Sequence, residues 1–125
     1  MESRVRMLFV LAGLPEPTVN VSVSARGGRL RYRIDLAWEQ VRAAVEYDGR
    51  HHIARQDQWQ HDIDRREALE AEGWRFVVLT SRDVYQTPGR TIERTVAALT
   101  AAGLPGLGPV KNEWRRHFPD RSAVA

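Results

Sequence analysis

Leu30-Arg31-Tyr32-Arg33-Ile34-Asp35-Leu36-Ala37-Trp38, followed closely by Val41-Arg42-Ala43-Ala44-Val45-Glu46-Tyr47-Asp48, alternates apolar and polar residues twice in succession. Side chains on a strand point to opposite faces with a period of two, so each run reads as a half-buried β-strand. In the first, Leu30, Tyr32, Ile34, Leu36 and Trp38 form one face and Arg31, Arg33, Asp35 and Ala37 the other. In the second, Val41, Ala43, Val45 and Tyr47 oppose Arg42, Ala44, Glu46 and Asp48. The short turn at Glu39-Gln40 makes the pair a hairpin. Its two apolar faces must coincide, because a slip of one residue would turn every side chain over. That leaves registers with Asp35 opposite Ala44 or opposite Glu46. Either way Asp35 and Glu46 share a face within diagonal reach, and Asp48 follows one pleat further on.

Upstream, residues 2–13 carry Val5, Leu8, Phe9, Leu11 and Ala12 at helical spacing with Gly13 as a stop. Leu14-Pro15-Glu16-Pro17 is a stiff connector, and Val19, Val21 and Val23 alternate with Asn20, Ser22 and Ser24 as a further strand before the turn Arg26-Gly27-Gly28. Downstream, residues 49–53 read as a loop and 54–72 as a long helix stopped by Gly73. Residues 74–80 are an almost wholly apolar strand of the kind found inside a sheet. Ser81 to Tyr85 is a turn of helix, and Thr91 to Ala102 is another full helix. The order α-β-β-β-α-β-α implies an α/β domain over residues 1–102. The last strand arrives after a helical crossover and so joins parallel to an earlier one, giving a mixed four-stranded sheet flanked by helices. From Gly103 to Ala125 the chain has no period and reads as an extended tail.

The composition narrows the chemistry. At 125 residues the chain builds one core. No apolar run approaches the roughly 18 residues of a membrane span, and no secretory signal is read at the start. The absence of cysteine excludes disulfides and thiolate metal sites and fits a reducing cytoplasm, so any metal must be held by oxygen or imidazole. The net charge is +3, and 18 of the 19 basic residues are arginine, whose planar fork matches phosphate. The same bias arises in a GC-rich genome without any such partner.

Three carboxylates converging on one strip repel one another. A divalent cation is the natural neutraliser, and hard oxygen ligands with open positions suit Mg²⁺ or Mn²⁺. The competing reading is a solvated face on which Arg31, Arg33 and Arg42 pair with the acids. On the long helix, Trp59, Ile63 and Leu69 define an apolar arc that also contains Asp62, Arg66 and Glu70, with Arg65 at its border. Those charges need partners. Either Asp62 bridges to Arg65 or Arg66 along the helix, or the helix packs beside the carboxylate face and its arginines reach a phosphate. His51 and His52, directly after Asp48-Gly49, are placed to move a proton or to steady negative charge.

Asp35, the run Val45-Glu46-Tyr47-Asp48-Gly49-Arg50-His51-His52, and Asp62-Ile63-Asp64-Arg65 with Leu69 and Gly73-Trp74 together resemble a bacterial family. It is a domain of unknown function related to very-short-patch-repair endonucleases, in the PD-(D/E)xK nuclease superfamily, and the resemblance covers roughly residues 2–100. It implies a restriction-endonuclease-like fold and a DNA endonuclease. It implies that Asp35 and Glu46 are the two motif acids, that Glu2 is the helical glutamate added to the metal site, that His52 is the active-site histidine, and that Asp62 and Arg65 are the helix pair. Relatives often carry a further domain in front, so a chain starting one residue before Glu2 reads as a stand-alone or a trimmed form. The motif's lysine position holds Asp48, as is normal in this branch; Lys111, the sole lysine, lies in the tail. Activation of water then passes to a second metal, a histidine or an arginine.

The leading expectation is Mg²⁺-dependent hydrolysis of DNA phosphodiester bonds. Asp35, Glu46, Asp48 and Glu2 would hold metal, and His52 and Asp62 would assist. Arg33, Arg65, Arg66 and His51 would contact phosphate. The alternatives are a catalytically silent nucleic-acid-binding module of a repair or defence assembly, and an RNase or toxin-like effector on the same scaffold. No base-reading element is visible, so binding is expected to follow phosphate charge and weaken with salt. In the tail, Trp114-Arg115-Arg116-His117-Phe118 either stacks on bases or clasps the domain itself or a subunit partner.

Overall fold

The computed structural model describes residues 1–49 and 56–121. Its elements are α1 (Glu2–Leu11), β1 (Thr18–Ala25), β2 (Leu30–Trp38), β3 (Ala43–Tyr47), α2 (Gln56–Ala71), β4 (Arg75–Leu79), α3 (Ser81–Tyr85) and α4 (Pro88–Ala102), with 3-10 turns at Glu39–Val41 and Glu113–Arg116. The expected order and the mixed four-stranded sheet are present. The sheet runs β1-β2-β3-β4, antiparallel between the first two pairs and parallel between β3 and β4. Among the described residues no helix is long and apolar enough to cross a membrane.

Strand parity sorts side chains to two cores. Leu36, Trp38, Ala43, Val45, Val77 and Leu79 pack with Val5, Leu8 and Phe9 of α1 and Ile92 and Leu99 of α4. Ala37 and Ala44 pack with Ala68 and Leu69 of α2, and Phe76 lies against them. Helices therefore cover both faces. Phe9 meets Trp38 at a ring separation of 5.7 Å, and the Trp38 indole N–H donates to the Pro15 carbonyl at 2.8 Å, which satisfies its one polar group. Gly73 ends α2 at φ +94°, where an L side chain is strained. Its N–H donates to Glu70 and that of Trp74 to Leu69, a Schellman turn that aims the chain into β4.

Five sequence expectations change. The apolar row of β2 does not stay on one face: Leu36 and Trp38 join the α1/α4 core, whereas Ile34 joins the α2 core with Val21 and Ala25. The ladder pairs Val19 with Leu36 and Val21 with Ile34 and skips the rung of Asn20 and Asp35. There Asn20 sits at φ +52°, the left-handed region that asparagine tolerates better than most residues. Both strands rotate together at this rung, turning the apolar face of the outer hairpin onto α2. The second run, expected from Val41, becomes strand only at Ala43, because Glu39–Val41 winds into a 3-10 turn and Arg42 sits at φ +52°.

β4 is an edge strand rather than an interior one. Its apolar run reflects cover on both faces, and the Arg94 guanidinium donates to the Val78 carbonyl at 3.2 Å on that edge. Trp59 is not part of a buried arc. It is 52% exposed, and α2 reaches its core through Ala68 and Leu69, nearer the helix end. The segment after Gly103 packs on its own domain. Leu104, Trp114 and Phe118 are buried in the α1/α4 core, and the Lys111 and Arg121 N–H groups donate to Ala12 and Gln86.

Candidate nucleic-acid and metal site

The pairing of Leu36 with Val45, carried one residue further, puts Asp35 opposite Glu46, the second of the two registers that parity allows. Both side chains open into a cleft of about 290 Å³ between the β2–β3 end and α2. Asp48 continues that wall, and its N–H donates to the Leu79 carbonyl at 2.7 Å, which ties the end of β3 to β4. From α2, Gln58, Asp62, Arg65 and Arg66 line the opposite wall, and Arg33 of β2 closes the rim. These α2 positions recur at helical spacing, so one helix face supplies them all.

Glu46 is 6% exposed, a rare burial for a carboxylate, and it is bound by the Arg65 guanidinium. Burial pushes the Glu46 carboxyl above its ordinary value. The Arg65 hydrogen bond and charge pull it down, Asp35 pushes it up further, and Arg66 opposes. The balance is upward: one arginine does not fully repay the loss of water. Arg65 Nη1 and Arg66 Nε are themselves buried without a hydrogen-bond partner among the described residues. A buried donor left unsatisfied costs about 1–3 kcal/mol. Two side chains that line the cleft therefore each carry a donor atom that lacks an acceptor among the described residues.

Glu2 is not among the residues lining this cleft; α1 packs on the opposite face of the sheet. His51 and His52 lie outside the described residues. Sequence reasoning missed Gln58 and missed the Arg65–Glu46 pair, which spans 19 positions and connects a helix to a strand. Helical spacing finds partners three or four residues away and is blind to this one. The signal that was available is the inward position of Arg65 beside an acidic face.

Among the described residues no three acids or histidines are gathered as a ready metal cluster. Two adjacent carboxylates, Asp35 and Glu46, with Asp48 beside them, still match the way magnesium is commonly held: one or two carboxylates, with water and substrate phosphate completing the shell. The donor set fits a cation shared with a phosphate rather than an all-protein cage.

A mixed sheet flanked by helices in this order, with paired acids on neighbouring strands facing a helix, defines a restriction-endonuclease-like domain. A family model described as REase_MTES_1575 matches residues 14–99, and the chain belongs to that family. It is 32% identical over 106 residues to "Uncharacterized protein MT2308" of Mycobacterium tuberculosis (strain CDC 1551 / Oshkosh). The same identity and span hold for "Uncharacterized protein Rv2248" of Mycobacterium tuberculosis (strain ATCC 25618 / H37Rv). Those matches take in 85% of this chain but 39% of each relative, so the chain spans about two fifths of the length of the curated relatives it matches. No solved structure matches it significantly.

Proposed function

We propose that the domain binds nucleic acid through the phosphodiester backbone at this cleft, and that a divalent cation assists the binding. The observation that carries the reading is the pair of buried donors without acceptors, Arg65 Nη1 and Arg66 Nε, beside the Glu46 carboxylate. A phosphate oxygen supplies the missing acceptor, and a guanidinium matches its geometry. Among the described residues the lining sets four carboxylates, Asp35, Glu46, Asp48 and Asp62, against three guanidiniums, Arg33, Arg65 and Arg66. Asp35 and Glu46 would hold a divalent cation, which would supply the positive charge that lets Arg65 and Arg66 meet a phosphate. At constant ionic strength, Mg²⁺ should therefore tighten binding of a labelled duplex, read by fluorescence anisotropy. Asp35→Ala should remove that increment; an increment equal to the wild type's would contradict the reading.

A second reading is metal-dependent endonucleolytic hydrolysis of DNA, favoured by the presence of Asp35 and Glu46 in the same cleft. A bound Mg²⁺ or Mn²⁺ supplies Lewis acidity and lowers the pKa of water. Asp35 and Glu46, with Asp48 beside them, would face the cation, Arg33 and Arg66 would fix the phosphate, and Asp62 would orient its neighbours on α2. His52 as the active-site histidine belongs to this reading on the family resemblance, and His51 as a phosphate contact on its place directly after Asp48-Gly49; Glu2, an added ligand by the resemblance alone, does not line this cleft. Parallel incubation with duplex DNA, single-stranded DNA and RNA should give cation-dependent cleavage that Asp35→Ala abolishes while the circular dichroism spectrum is kept. Cleavage of RNA alone identifies the effector on the same scaffold. Cation-assisted binding with no cleavage identifies a silent binding module.

A further inference from the structure

The outer β1–β2 hairpin carries a charge pattern that the cleft does not use. Between Pro17 and Ile34 there are four arginines, Arg26, Arg29, Arg31 and Arg33, and no aspartate or glutamate. The rotation at the Asn20–Asp35 rung commits the apolar face of this ribbon, with Val21, Ala25 and Ile34, to α2. The opposite face is left exposed, and on it Ser22 pairs with Arg33 and Ser24 with Arg31, with Arg29 at the tip. The Arg31 guanidinium donates to the Ser22 hydroxyl at 3.3 Å, which holds the side chain across the ribbon.

Arginine abundance alone does not produce this face. The exposed side of α2 carries Asp57, Asp64, Glu67 and Glu70, so the molecule separates its charges by surface. Alternate side chains on a strand stand about 6.7 Å apart, close to the rise of two nucleotides of about 3.4 Å each along the duplex axis. The width of a two-stranded ribbon suits the major groove. Arg33 belongs to both surfaces, ending the arginine row where the cleft begins.

We propose that the exposed face of the β1–β2 hairpin, carrying Arg29, Arg31 and Arg33, is a second contact surface that lies along the phosphodiester backbone of duplex nucleic acid and leads it into the cleft. The inference rests on the nucleic-acid reading of the cleft but is measured separately from it. The ribbon works without a divalent cation, so its contribution is the salt dependence of duplex affinity in EDTA. The slope of log K against log salt falls by about 0.9 for each phosphate contact removed.

Arg29→Gln with Arg31→Gln should therefore reduce the slope by about 2 and weaken binding at 0.1 M salt by up to about sixtyfold. Arg82→Gln with Arg90→Gln, exposed positions on α3 and α4, removes the same charge elsewhere and should leave the slope unchanged. An unchanged slope in the hairpin variant, or an equal drop in both variants, overturns the proposal. If Mg²⁺ gives no increment while the hairpin slope holds, the cleft reading fails and the ribbon stands; the converse result removes the ribbon alone.

Discussion

Replacing Arg65 by Met should cost about 3 kcal/mol of unfolding free energy at neutral pH in metal-free buffer, and most of that loss should disappear in acid. Breaking a buried ion pair from one side costs about 3–5 kcal/mol, because the remaining charge has neither water nor partner. Glu46 recovers part of it by taking up a proton, which sets the expected loss at the lower end. The direction with pH follows from its raised pKa. The folded domain binds this proton more tightly than the unfolded chain does, so stability falls as pH rises from the ordinary value near 4.5 through the folded pKa. Without Arg65 its hydrogen bond and its charge no longer pull the pKa down and only the weaker pull of Arg66 remains, so the window extends further upward and the loss deepens. Urea unfolding at pH 5 and pH 8 checks this. A gap between variant and wild type that is the same at both pH values would mean that Arg65 acts only through its packing.

Phe9→Ala should have a comparable or larger effect on the whole fold. Phe9 is fully buried and its ring meets Trp38, so it joins α1 to β2. Truncating a buried phenylalanine costs about 3–5 kcal/mol, against a total of about 5–15 kcal/mol for a typical domain. The expected fall in Tm is roughly 10–20 °C for a chain of this size. Met7, on the same helix but 53% exposed, should tolerate alanine with little change. A fall of less than about 5 °C for Phe9→Ala in a thermal melt would show that the α1 layer is not integral to the core.

Much of this architecture was legible because period-two alternation is a strong constraint. Leu36 and Trp38 against Ala43 and Val45 admit few registers, and the parallel joining of β4 follows from its helical crossover. The hidden parts depend on single backbone angles and on distant neighbours. Nothing in the alternation of Val19, Val21 and Val23 reveals that Asn20 turns left-handed, yet that one residue decides which core the hairpin serves. Likewise Arg42 shortens β3 by its own dihedral. Trp59 satisfied a helical arc drawn from hydrophobicity, but the helix meets its core further along, at Ala68 and Leu69.

The site was legible in outline. Parity aligned Asp35, Glu46 and Asp48, and inward charge singled out Asp62, Arg66 and Glu70 with Arg65 at the border; the structure brings all of them except Glu70, which is exposed, into one cleft with Arg33. The direct engagement of Glu46 by Arg65 needed the packing of α2 on the sheet, which no spacing rule contains. That pair changes the chemistry expected of the face. Its buried acid is already counterbalanced from within the chain, so an added cation competes with an arginine for it.

A ¹H–¹⁵N NMR titration of the wild-type domain with a short duplex in the presence of Mg²⁺ decides whether the cleft takes a phosphodiester backbone. Saturable shifts are expected, largest at Asp35, Glu46, Asp62, Arg65 and Arg66, with smaller ones along Arg29 to Arg33. Shifts confined to α1, α4 and the Trp114 segment, or no saturable shifts at all, would contradict that reading of the cleft.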